Sequence, residues 1–151
     1  MSRQLSVDDA RQSLTAHLAE KGQQIYLQYG PETGWNDLLK ILEDRTFVRY
    51  PCEIVFDAKQ LQPGEFAVAI AKSEQPEDGF TIFVHPYFLL EPSHVPPLVF
   101  YHLVVVNYGE FASSDDAETF GAAALGILKE EYYNHLCNTA DEIWGEAIAQ
   151  S

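Results

Sequence analysis

The hydrophobic period of this 151-residue chain changes twice, and that change does most to narrow what it can fold into. Val7, Ala10, Leu14 and Leu18 recur at steps of three or four, the repeat that places side chains on one face of an α-helix. Ser6 followed by Asp9 supplies a start signal, Gly22 weakens the middle and Gly30-Pro31 stops the pattern, which predicts a helix over about 7–28. Thr33 is placed to cap a short second helix with Trp35, Leu38, Leu39 and Leu42 on its apolar side. From Val48 the step becomes two, with Val48, Tyr50, Cys52, Ile54 and Phe56 on the inner face of a strand that Pro51 confines to an edge or a start. Beyond Pro63-Gly64 a second strand turns Phe66, Val68 and Ile70 inward, and after the polar loop 73–79 a third does so with Phe80, Ile82 and Val84. Short connections between the three favour an antiparallel meander.

Residues 94–108 carry conflicting signals. Leu98–Val106 is rich in β-branched and aromatic residues and by local propensity alone is a buried strand. The punctuation points to a helix instead, with Ser93 as a cap, Pro96 in the first turn and Gly109 past the end. From Asp115 the helical step returns through Gly121, Leu125, Leu128, Tyr132, Leu136, Ala140, Ile143 and Ala147, as one long helix or two broken near Asn138. No repeat, low-complexity tract or linker interrupts the chain. The expectation is one α+β domain over 1–151, with N-terminal helices, a three-stranded antiparallel meander, a buried helix and a long C-terminal helix. With 46% hydrophobic and 13% aromatic residues the chain can fill a core without disulfides or structural metal. Cys52 and Cys137 stand in no metal-binding or redox spacing and are expected to be core thiols. Trp35 and Trp144 are placed to pack the terminal helices together or to lie on an interface.

Charge is distributed unevenly. Residues 1–72 hold eight of the nine Lys and Arg, whereas in 73–151 Lys129 alone faces thirteen acids. A field of that sign repels nucleic-acid phosphates and anionic lipid and favours a basic protein partner or a metal cation. The plain alternative is a solvated surface that keeps the chain soluble. The segment Met1–Gln12 is polar and acidic, without the features of a secretory leader, and the apolar stretch Val95–Val106 is too short to span a bilayer, so no membrane association and a cytoplasmic location are expected.

The passage FTIFVHPYFLLEPSHVPPLVFYHLVVVNYG, a strand running through a short segment into an apolar helix, and the later SSDDAETFGAAALGIL together resemble the strand, active-site helix and ligand helix of the minimal zincin-like metallopeptidases of the gluzincin kind. The resemblance spans roughly residues 47–128, rests on hydrophobic pattern, and implies a helix over 94–108 within a zincin-like fold. That family's chemistry needs two His at i and i+4 on one helix face, a Glu at i+1 as general base and a later Glu ligand. Matched to this chain, the first His is His102, the Glu falls on Leu103, the second His on Val106 and the later ligand on Ser114, with Ala117 and Glu118 following it. One imidazole does not hold zinc, so the resemblance implies a degenerate site with no metal, no cofactor and no catalytic residue. His102, Glu110 and Glu118 remain as a vestigial site. Asp115 and Asp116 lie nearby, where acids also suit a helix N-terminus. His85 and His94, flanking prolines nine positions apart, make a weak metal signature. No GxSxG, GxxxxGK[ST] or GxGxxG is present, which removes the commonest hydrolase, P-loop and dinucleotide-binding classes.

Three functions follow in order of preference. The first is a non-catalytic protein-binding or regulatory module on a degenerate zincin-like scaffold. The second is a small acidic inhibitor or immunity-type protein for a basic partner. The third is a hydrolase with an unrecognised site built from His102 and Glu110 or Glu118.

Overall fold

The computed structural model describes residues 6–149, with side chains described to residue 145; the first five residues of the polar N-terminal segment and the side chain of Ala147 lie outside that range. Five α-helices and three strands follow in the order α1 (Val7–Tyr29), α2 (Trp35–Glu43), β1 (Cys52–Phe56), β2 (Ala67–Ala71), β3 (Phe80–Val84), α3 (Val95–Tyr108), α4 (Ser114–Leu125) and α5 (Lys129–Ala149). Helix α1 opens on a reciprocal cap in which the Ser6 hydroxyl accepts from the Asp9 N–H and the Asp9 carboxylate accepts from the Ser6 N–H. Helix α2 starts at Trp35, one residue later than a cap at Thr33 would place it. Its cap is Gly34, whose N–H donates to Asp37 Oδ2 at 2.9 Å, and the Thr33 hydroxyl is buried without a partner. Of the residues expected on the apolar side of α2, Leu38 and Leu42 are buried, Ile41 joins them, and Leu39 faces outward.

The sheet is mixed, which corrects the expected antiparallel meander. Its order is β1-β3-β2, with β3 central, parallel to β1 and antiparallel to β2. Alternation fixes which residues share a face but carries no information on strand order. Residues 57–66 are long enough to carry the chain past the end of β3, because two strand spacings amount to only ~10 Å. The Asp57 N–H donates to the Val84 carbonyl and the His85 N–H to the Phe66 carbonyl, so both edge strands are tied to the end of the central one.

The inner face of β1 and β3 is the one the alternation predicts, with Ile82 and Val84 fully buried. In β2 the face is reversed. Ala67, paired with Val84, and Ala69, paired with Ile82, point inward, while Ile70 is 37% exposed. Helix α3 lies across this part of the sheet, and alanines let it approach where larger side chains would hold it off.

Residues 95–108 are helical despite their β-rich composition. Val95, Leu98, Val99, Phe100, Leu103, Val104 and Val106 are all buried, and packing on several sides outweighs a local preference of a few tenths of a kcal/mol per residue. Ser93 is not the cap. A 3-10 turn over Pro92–His94 delivers the chain already turning, with His94 at the cap position and Pro96 in the first turn. The break in the C-terminal helical run falls at Gly126, not near Asn138. Gly126 is left-handed (φ 68°), and the Ile127 N–H closes back on the Ala122 carbonyl at 3.1 Å. The tryptophans do not pack the terminal helices together: Trp35 stacks on Phe56 of β1, and Trp144 Nε1 donates to the Glu65 carbonyl ahead of β2.

Helix α4 is held by a buried acid. Asp116 caps its own helix through the Ser113 N–H (2.8 Å) and also accepts from Arg11 of α1 at 3.0 Å. Asp116→Ala strips both partners in a buried setting and should cost about 2–3 kcal/mol in urea unfolding. A loss below about 0.5 kcal/mol, the scale of an ordinary surface change, would mean that the α1–α4 junction is held by packing alone.

Candidate functional site

Helix α3 sits between two recesses, and the one beside its midpoint collects most of the chemistry. Its walls come from α3 (Tyr101, His102), α4 (Ser114, Glu118), α5 (Tyr133, Leu136, Cys137, Ala140) and the segment entering β2 (Gly64–Ala67), around a volume of about 430 Å³. Phe66 is fixed edge-on to both Tyr101 and His102, with ring centroids 6.3 and 5.8 Å away. Because α3 and α4 are joined by a single 3-10 turn, they run side by side, which brings residues 102, 114 and 118 to one opening.

His102 is partly exposed to this cleft, yet its Nε2 is shut off from solvent and has no hydrogen-bond partner. An orphaned buried polar atom costs about 1–3 kcal/mol, recoverable when a group entering the cleft reaches it. Burial pulls the imidazole down to about 4, so the ring is neutral at physiological pH. Partial burial raises the Glu118 carboxyl above its ordinary value, with Lys129 opposing the shift and Asp115 adding to it. Tyr101 is raised by burial and by Glu118, while a hydrogen bond with the Ser114 hydroxyl opposes the shift. Tyr133 is raised first by a hydrogen bond with the Cys137 thiol one turn along α5.

Of the three residues singled out in sequence, the cleft brings together His102 and Glu118. Glu110 lies in the 3-10 turn Gly109–Phe111, is exposed and does not line it. Ser114 lines the cleft, whereas Leu103 and Val106 point into the core. Asp115 pairs with Lys129, and Asp116 serves the helix cap. His85 accepts from the Tyr87 N–H and packs edge-on against Trp144, while His94 pairs with Glu91, so the two do not act together. The cysteines are free and half-buried; Cys52 packs against the core, where burial pushes its thiol up to about 11, whereas Cys137 is on the cleft wall and not a core thiol. Phe66, Tyr133, Leu136 and Cys137 were not among the sequence candidates for the site. The step of three or four through α5 marks Leu136 as apolar, but nothing in the sequence ties it to His102.

A nucleophile–base pair needs a hydrogen bond of about 2.6–3.2 Å between the two groups. Here Nε2 of His102 has none. An imidazole near 4 is also a weak base at neutral pH. Among the described residues no three His, Cys, Asp or Glu side chains gather as a metal site, and no helix is long and apolar enough to cross a membrane. The chain matches no protein-family model, no curated protein and no solved structure.

Proposed function

We propose that this protein is a non-catalytic binding module that engages a basic protein partner by taking one of its Lys or Arg side chains into the α3–α5 cleft. The observation that carries this reading is the make-up of that recess. Phe66, Leu136 and Ala140 offer an apolar path for a methylene stem, Tyr101 and Tyr133 offer ring faces for a cation, and Glu118 supplies the opposite charge. No Lys or Arg lines the recess and His102 stays neutral, while Lys129, close enough to act on Glu118, is paired with Asp115. The acid excess of residues 73–151 would steer such a partner toward this side. The zincin-like resemblance belongs to the same proposal: His102 and Ser114, the positions matching the family's first and later ligands, line one recess together with Glu118, while Leu103 and Val106 turn into the core. Two free thiols suit a reducing cytoplasm.

A short capped peptide rich in Lys and Arg is the probe. Calorimetric titration should give saturable binding that weakens as salt is raised and weakens about tenfold, or ~1.4 kcal/mol, in Glu118→Gln. Equal affinity in wild type and variant would remove Glu118 and this cleft from the account.

A further inference from the structure

The second recess has the opposite character. It lies against the C-terminal half of α3, encloses about 220 Å³, and is lined by His17 and Lys21 of α1, Arg45 and Arg49 of the α2–β1 segment, and Tyr108 of α3, among others. In a chain with 23 acids and 9 Lys and Arg, three of the nine meet here and no carboxylate lines the space. The ion pairs among the described residues involve Arg11, Lys72, His94 and Lys129, and none of these three cations. Asp44, the nearest acid in sequence to Arg45, turns its carboxylate to the Thr46 N–H.

The two arginines are positioned in advance. Arg45 donates through one terminal nitrogen to the Leu42 and Val48 carbonyls at 3.0 and 3.2 Å. Arg49 donates through one terminal nitrogen to the Asn107 carbonyl at 3.2 Å and lies over the Tyr108 ring at 4.7 Å. Asn107, itself buried, fixes the loop by accepting from the Arg49 N–H and donating to the Phe47 carbonyl. Satisfying the last carbonyls of α2 and α3 accounts for one nitrogen of each guanidinium. It does not account for their convergence with Lys21 and His17 on one acid-free space.

We infer that this recess is a binding site for a compact oxyanion, a phosphate group either free or carried on a small phosphomonoester. Forked guanidinium donors beside a lysine match a tetrahedral anion with several acceptor oxygens. The small volume suits a phosphate with a short organic group. The excess of acids over the whole chain, 23 against 9 Lys and Arg, disfavours a polyanion such as nucleic acid.

The test titrates the intact protein with inorganic phosphate and with glycerol phosphate, at ionic strength held constant with chloride, followed by NMR and by thermal unfolding. Saturable shifts at residues 45–49 and 108, a raised unfolding temperature, and affinity about tenfold weaker in Lys21→Gln/Arg49→Gln are expected, with Glu118→Gln unaffected. Tighter binding of the ester marks a phosphomonoester as the ligand, and equal binding marks the free ion. Lys21→Gln alone, which removes no hydrogen bond of the fold, guards against a double variant that fails to fold and should weaken binding measurably. No saturable response to either phosphate, or an undiminished one in both variants, would overturn the inference.

Discussion

Gly22→Ala is expected to destabilise the protein by about 2–4 kcal/mol, lowering its unfolding temperature by roughly 4–16 °C. Two effects oppose each other at this position. Replacing a mid-helix glycine with alanine gains up to about 1 kcal/mol of helix propensity. Against that, a Cβ on Gly22 would stand 2.6 Å from both Ala123 Cβ and the Phe120 carbonyl oxygen of α4. Neither obstacle is the end of a flexible side chain, so the helices themselves must part, loosening buried Leu18 and Ile25 of α1 and Ala124 of α4. The steric term wins. Gly145→Ala in α5 is the control, because a Cβ there meets nothing within 4 Å, and it should stabilise by up to about 1 kcal/mol. If both substitutions stabilise, the close α1–α4 crossing is not how the domain packs.

The second large effect is a loss of stability in mild acid that traces to His102. Its folded-state value is about 4, below the ordinary 6.5, so between those values the unfolded chain holds a proton there that the folded chain does not. The stabilisation is therefore complete above about pH 6.5 and is lost as pH falls toward 4. From pH 7 to 4.5 the loss is on the order of 2–3 kcal/mol. Glu118, raised by burial, acts in the opposite direction over part of the same range, so the comparison has to be made against a variant that changes His102 alone. In His102→Phe, which keeps an aromatic ring against Phe66 and Tyr101, the unfolding free energy should fall less between the two pH values by that amount. Parallel pH profiles for the two proteins would mean that His102 is not held neutral by its surroundings.

What could be read in the sequence divides along physical lines. Local rules worked where the determinant is local: the Ser6–Asp9 cap, the stop at Gly30, the inner face of β1 and β3, and Gly109 closing α3 at positive φ. They failed where a distant neighbour decides. Hydrophobicity ranks Val68 and Ile70 above Ala67 and Ala69, yet α3 needs the smaller pair beneath it. Asn138 seemed a natural break, but the turn sits at Gly126, where a side chain would meet the Tyr26 ring of α1. The order of the strands depends on the path of residues 57–66, which alternation does not encode. The cleft shows the same division. Of the sequence candidates His102, Glu110 and Glu118, His102 and Glu118 line the cleft and Glu110 does not, whereas the α5 wall and Phe66 reach it only through tertiary packing.

The central claim is that the α3–α5 cleft receives a cationic side chain, and the most direct measurement is the place where a basic peptide docks. An NMR titration of the intact protein with the Lys- and Arg-rich peptide should move the resonances of Tyr101, His102, Glu118 and Tyr133 together along one saturation curve, leaving Lys21, Arg45 and Arg49 still. Saturable shifts confined to other acidic surfaces, with the four cleft residues unmoved, would contradict it.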